Sequence, residues 1–287
     1  MKELLILSGK GGSGKTTIAS ALIKLSQAQA FADCDIDAPN LHLVLKEKTE
    51  PERSDYFGLP LAEIDQELCI GCDSCRQHCR FDAISLVDGQ YQIKAFACEG
   101  CGVCEFVCPQ EAISMKPAKA GDLMLYQNQD YVFSTAQLKM GSGTSGLLVS
   151  QVKARLRAHA DQAPFAIIDG SPGIGCPVIA SLSGVDMVLL VAEPSLSGVS
   201  DLKRIIQTAL SFGLELVLCI NKYDDNLDYT KKIEEICVKE EIPMLGKIPF
   251  DQEAVKAINR GETIVDLDCK SGRAVKEVYA KIKELLF

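Results

Sequence analysis

Positive charge is in short supply in this chain of 287 residues. Lysine and arginine number 30 against 39 aspartates and glutamates, for a net charge of −9 and a pI near 5.0. An acidic chain disfavours DNA or RNA as a partner, because a phosphate backbone is held by clustered cations. Long apolar stretches are missing as well. No run approaches the ~18 residues that read as a transmembrane helix, and the first residues show neither the basic n-region nor the apolar h-region of a secretory leader. The expectation is a soluble cytoplasmic protein with no nucleic-acid or membrane partner. Hydrophobic residues, by contrast, make up 47% of the chain, enough for a substantial core in one large or two small domains. Cysteines number 13, and eight of them fall between positions 69 and 108. In a small secreted chain they would signal disulfides; in a reducing cytosol metal binding is the better reading.

The chain is organised around Ser8–Thr17, SGKGGSGKTT. An apolar run at Leu4–Leu7 reads as a strand before it, and Ile18, Leu22 and Leu25 mark a helix after it. Strand, glycine-rich loop and helix form the setting of a phosphate-binding P-loop. Backbone N–H groups of Gly11, Gly12, Ser13 and Gly14 can turn inward around phosphate oxygens where no Cβ intervenes. Lys15 supplies a cation to the β- and γ-phosphates, the Thr16 hydroxyl suits Mg²⁺, and Thr17 lies in the first turn, where the helix dipole adds positive potential. The stretch predicts a nucleotide site with Mg²⁺.

Downstream, Asp33, Asp35 and Asp37 alternate at the end of a short strand, and Pro39 stops it. Phe165–Asp169 is an apolar strand ending in an acid, placed to hold Mg²⁺ through water, and Gly170–Gly175 follows as a glycine-rich loop. Gly141–Gly146 is a second glycine-rich stretch; it lacks a suitably placed lysine and reads as a connector. The remainder alternates strand and helix to a last amphipathic helix, Ser271–Leu286, expected to pack on the core rather than on a membrane.

Between these segments stand two units with a period of 29 residues: Cys69, Cys72, Cys75 and Cys79, then Cys98, Cys101, Cys104 and Cys108, each followed by an acid-Ala-Ile-Ser tail. This resembles the bacterial two-cluster ferredoxin pattern, in which the fourth cysteine of each run serves the other cluster. The resemblance implies one [4Fe–4S] cluster on Cys69, Cys72, Cys75 and Cys108, and a second on Cys98, Cys101, Cys104 and Cys79. Arg80 stands where the pattern has proline. Zinc suits any single CxxC pair, but not the doubled run of four.

Lys10, before the double glycine, gives the loop a further resemblance, to the deviant P-loop of the MinD/ParA superfamily. That superfamily includes the nitrogenase iron protein and iron–sulfur carriers. The resemblance implies that Lys10 reaches the partner's phosphates in a nucleotide-bound homodimer and that Asp35, in DCDIDAPNL, positions the attacking water. It further implies that Asp169 serves Mg²⁺, Gly173 senses the γ-phosphate, and Asn221 and Pro249 contact the base. Cys176 is expected to be a small buried residue, and Cys34, Cys219, Cys237 and Cys269 structural thiols.

The expected fold is α/β: a mostly parallel twisted sheet flanked by helices, with a P-loop ATPase domain in two parts, 1–61 and 119–287, and an inserted ferredoxin domain at 62–118. The expected function is an ATPase whose nucleotide-driven dimer switch is coupled to electron transfer toward a redox or iron–sulfur partner protein. The alternatives are an iron–sulfur cluster carrier or maturation factor, and a ParA-like spatial organiser with a redox-sensing insert.

Overall fold

The apolar runs of the sequence become the centre of a sheet. A computed structural model describes residues 1–45 and 49–287. In chain order the elements are β1 (Lys2–Leu7), α1 (Lys15–Ser26), β2 (Ala30–Asp33), α2 (Leu41–Val44), β3 (Glu52–Phe57), β4 (Leu61–Ile64), α3 (Ser74–His78), β5 (Ile84–Val87), β6 (Gln90–Ile93), α4 (Val103–Phe106) and β7 (Ile113–Lys116). They continue with β8 (Lys119–Gln127), β9 (Val132–Leu138), α5 (Ser145–His159), β10 (Phe165–Asp169), α6 (Cys176–Leu182), β11 (Met187–Ala192), α7 (Leu196–Leu210), β12 (Glu215–Asn221), α8 (Leu227–Lys239), β13 (Met244–Ile248), α9 (Gln252–Asn259) and α10 (Lys270–Leu286).

Among the described residues, nine strands form one sheet in the order β13-β12-β11-β1-β10-β2-β9-β8-β3. From β13 to β9 all neighbours are parallel. Strands β10 and β11 are buried at every position, as expected of parallel strands covered on both faces. One core cluster gathers Leu4 and Ile6 of β1, Ile18 and Leu22 of α1, Ile167 of β10, Leu189 of β11 and Val275, Val278 and Ile282 of α10. The last helix is therefore a core helix, as its pattern predicts. Helix α5 is fastened to the end of α6: Lys153 Nζ donates to the carbonyls of Ser181 at 2.5 Å and Ser183 at 2.7 Å. Burial pushes the Lys153 amine down to about 8, against a partial upward pull from Glu3.

The chain divides into two compact units. The first comprises Met1–Arg53, Leu123–Gln137 and Gly146–Phe287; the second comprises Ser54–Asp122 with Leu138–Ser145. The second unit thus takes in more chain than the 62–118 expected from the cysteine repeat. It holds two antiparallel pairs, β4 with β7 and β5 with β6. Its core is small: Ala62, Cys75, Ile84, Tyr91 and Ile113 are buried, and Cys69, Cys79, Cys98, Cys104 and Cys108 pack against them. The Gly141–Thr144 stretch runs within this unit, where the Thr144 carbonyl accepts from the Tyr56 hydroxyl at 3.1 Å.

Candidate functional site

Strand β1 ends at Leu7 and α1 begins at Lys15, so the loop between them lies at the carboxyl edge of the parallel strands, where α/β proteins bind ligands. Gly14 caps α1 with φ +89°, a left-handed conformation, and a Cβ there would collide with the Asn221 amide. Glycine is required on both counts. At Gly11 and Gly12 the space for a Cβ is open, which leaves the backbone free to approach a phosphate.

Lys15 is buried, and its Nζ stands 2.6 Å from Asp169 Oδ1. Burial alone would lower its pKa, but the Asp169 carboxylate outweighs that with help from Asp33 and Asp35, so the amine is held above its ordinary value. Asp169 ends β10 in register with Asp33 at the end of β2. Its second oxygen, Oδ2, is buried without a hydrogen-bond partner, and so is Ser13 Oγ inside the loop. Orphaned buried polar atoms beside a glycine cradle, a buried lysine and the Thr16 hydroxyl are the donor and acceptor set that a Mg²⁺-bound polyphosphate needs. The residues fit that group.

Asp35 lies just beyond β2 and is partly buried; burial raises its carboxyl pKa, opposed by Lys15. The strand stops at Asp33, so the three aspartates do not share one face. Asp33 is fully buried, Asp35 lies in the loop just before a turn and Asp37 is exposed. Burial, reinforced by Asp169, pushes Asp33 up to about 7. Gly173, at φ +93°, donates its N–H to the Ser8 carbonyl at 3.0 Å, which places the Gly170–Gly175 loop against the start of the P-loop.

Two charged residues that the motifs do not mark complete the loop. Glu193 accepts Lys10 Nζ at 2.9 Å through one oxygen and Lys222 Nζ at 3.4 Å through the other. Lys10 also reaches Ser195 Oγ at 3.0 Å, and Lys222 reaches the Gly12 carbonyl at 3.1 Å. Lys10 is therefore held within its own chain. Asn221 Nδ2 donates to the Ser13 carbonyl at 2.7 Å. Beside it, a cavity of about 200 Å³ is lined by Gly12, Thr17, Asn221, Ile248, Pro249 and Phe250. No local pattern points to Glu193; only its place at the end of the apolar run of β11, level with the other strand ends, could have singled it out.

In the second unit, Cys69, Cys72, Cys75 and Cys108 line one cavity. Cys79, Cys98, Cys101 and Cys104 line another. Among the described residues no group of three or more His, Cys, Asp or Glu is drawn together as for a single metal ion. Cys34, Cys219, Cys237 and Cys269 are buried free thiols, and burial pushes Cys34 and Cys219 up to about 12. Cys176 departs from expectation. It is exposed at the first position of α6.

A parallel sheet carrying a lysine-bearing glycine loop, with an acid at a neighbouring strand end, defines a P-loop nucleotide-binding α/β protein. The comparisons narrow the class. The family model of the CobQ/CobB/MinD/ParA nucleotide binding domain matches residues 4–264; the chain belongs to this family and is a P-loop ATPase of the MinD/ParA type. An uncharacterised protein of Methanocaldococcus jannaschii is 33% identical, across 99% of this chain and 97% of the relative. The iron-sulfur cluster carrier protein of the same organism is 22% identical, across 98% and 84%. Among solved structures, the septum site-determining protein MinD complexed with Mg-ADP from Pyrococcus horikoshii shares the fold with a TM-score of 0.60 at 18% identity, across 99% of this chain and 96% of that one. No helix among the described residues is long and apolar enough to cross a membrane.

Proposed function

We propose that this ATPase works as a nucleotide-switched electron-transfer protein, with Mg·ATP held in the first unit and two [4Fe–4S] clusters in the second. The observation that carries the reading is the sorting of the cysteines. Each run of four divides three to one, and the single member lines the cavity of the opposite run. A ferredoxin ligand set divides in the same way. A cubane cluster keeps its ligands further apart than a single ion does, so thiols spread around a cavity suit it. Bound there, the clusters would supply one-electron chemistry.

In the first unit, Lys15 and the loop N–H groups bind the β- and γ-phosphates, while Thr16 and Asp169 serve Mg²⁺. To do so, Lys15 turns from Asp169 toward phosphate, and the carboxylate it leaves is free for the cation's water shell. Asp35 positions the attacking water, and Gly173 releases its N–H from the Ser8 carbonyl to follow the γ-phosphate. Lys10 leaves Glu193 to reach the phosphates of a second copy in a nucleotide-bound dimer. Asn221 and Pro249 edge the apolar cavity where the base lies. A partner protein accepts or donates the electron.

The similarity to an iron-sulfur cluster carrier protein supports a second reading, in which the clusters are cargo. Four thiols around each cavity favour retention instead. The deciding experiment is an anaerobic, EPR-monitored redox titration of the reconstituted protein with and without Mg·ATP. Coupling predicts a potential shift of about 60 mV, tenfold in a one-electron equilibrium. Superimposable titrations with nucleotide bound, together with cluster release to an apo-acceptor, would establish the carrier instead.

A further inference from the structure

Asp33 occupies a position from which a magnesium ligand would be expected. It ends β2 beside Asp169, and nothing in the sequence separates it from Asp35 and Asp37 as an acid at a strand end. Its carboxylate is already in use. Oδ1 accepts the Asp35 N–H at 3.0 Å, and Oδ2 accepts the N–H groups of Asn40 and Leu41, each at 3.0 Å. The first of these donors lies at the start of the loop after β2, and the other two lie where the chain enters α2. One buried side chain therefore closes residues 34–41 into a ring, and Asp35 stands on that ring.

The root of the ring is fixed independently. The Thr135 hydroxyl donates to the Asp33 carbonyl at 3.1 Å, and the Cys34 N–H donates to the Asp169 carbonyl at 2.7 Å. Ser171 Oγ donates to the Cys34 carbonyl at 2.5 Å. A single buried carboxyl that accepts three backbone N–H groups from both ends of a loop ties those ends together, and losing an acceptor would leave those N–H groups unpaired.

We infer that Asp33 is a positioning residue for ATP hydrolysis. It shapes the loop that presents Asp35 to the attacking water, and it does not ligate Mg²⁺. The inference rests on the reading of Asp35 as the water-positioning group. An asparagine at 33 keeps one acceptor oxygen but turns an NH₂ toward backbone N–H groups, so the ring opens while the side-chain volume is conserved.

The test uses the full chain with its clusters. Asp33→Asn should lower kcat roughly 10²-fold, the scale set by misplacing a reacting group by about 1 Å. ATP affinity, KM and the Mg²⁺ concentration for half-maximal activity should stay at their wild-type values. Hydrogen exchange at Asn40 and Leu41 should rise in this variant and not in Asp35→Asn, although Asp35→Asn should also stop hydrolysis. A raised Mg²⁺ requirement in Asp33→Asn would make Asp33 a metal ligand, and an unchanged kcat would remove its role; either overturns the inference. Wild-type turnover by Asp35→Asn would instead sink the assignment of Asp35, whereas the exchange data report on the ring alone. Should Asp33→Asn fail to fold, Thr135→Val loosens the root of the same ring. It should show a smaller kcat loss at unchanged ATP affinity and Mg²⁺ requirement.

Discussion

At the scale of single residues, sequence distance and chemical partnership come apart. Cys104 and Cys108 belong to one short run, yet they line different cavities, whereas Cys75 and Cys108 come from different runs and line the same one. On the proposed reading, Cys75→Ser and Cys108→Ser should therefore damage the same cluster, and Cys104→Ser and Cys79→Ser the other. Anaerobic EPR and iron analysis of the four variants check this: two pairs of matching spectra are expected, each retaining one intact cluster. Pairing by run would show the arrangement to be wrong. The P-loop was legible because its chemistry needs fixed residue types at fixed spacings. Glu193 was not legible, since a lone carboxylate between an apolar strand and a serine-rich helix start has the composition of any hydrated strand end. Its two lysine partners, Lys10 and Lys222, are brought to it by the parallel order of β1, β11 and β12, which no local window contains. Cys176 was misread for a related reason. Cysteine is usually buried, but Cys176 opens α6 at an exposed position that its residue type does not reveal.

At the scale of elements, the central strands were legible and the outlying ones were not. β1, β10, β11 and β12 are apolar runs because both of their faces are covered. β3 reads Glu-Arg-Ser-Asp-Tyr-Phe with only Tyr56 buried, so it carries no alternation to detect. The joint between α5 and α6 offers a prediction at this scale. Lys153 has a folded pKa near 8 against an ordinary value of 10.5. Between those values the unfolded chain holds more protons than the native one, so stability from this group rises as pH climbs from 8 toward 10.5 and is least below 8. Lysine 153 thus adds a positive slope of at most about 1.4 kcal/mol per pH unit in that window. Urea unfolding of the wild type and of Lys153→Met across this range should differ by that slope. Equal slopes would mean that the amine titrates normally.

At the scale of the whole molecule, the two units draw stability from different sources. The first has an extended core of β1, α1, β10, β11 and α10 side chains, while the buried core of the second is Ala62, Cys75, Ile84, Tyr91 and Ile113 edged by thiols. So small a core is short of folding energy, and the proposed clusters would supply it. Anaerobic removal of iron by a chelator should abolish hydrogen-exchange protection across 54–122 and leave ADP binding and protection of β1, β10 and β11 in place. Loss of protection in both units together would show a single cooperative block. The strand order also sets a timetable for the newborn chain. β1 emerges first, but its neighbours in the sheet are β10 and β11, and β10 begins only at Phe165, after every residue of the cysteine-bearing unit has left the ribosome. The P-loop is made first, and the strands that flank β1 come later. On the proposed reading, a polypeptide caught partway through synthesis would carry all eight cysteines of the repeat before the strands that flank its P-loop strand exist, so iron could be offered to the thiols ahead of nucleotide.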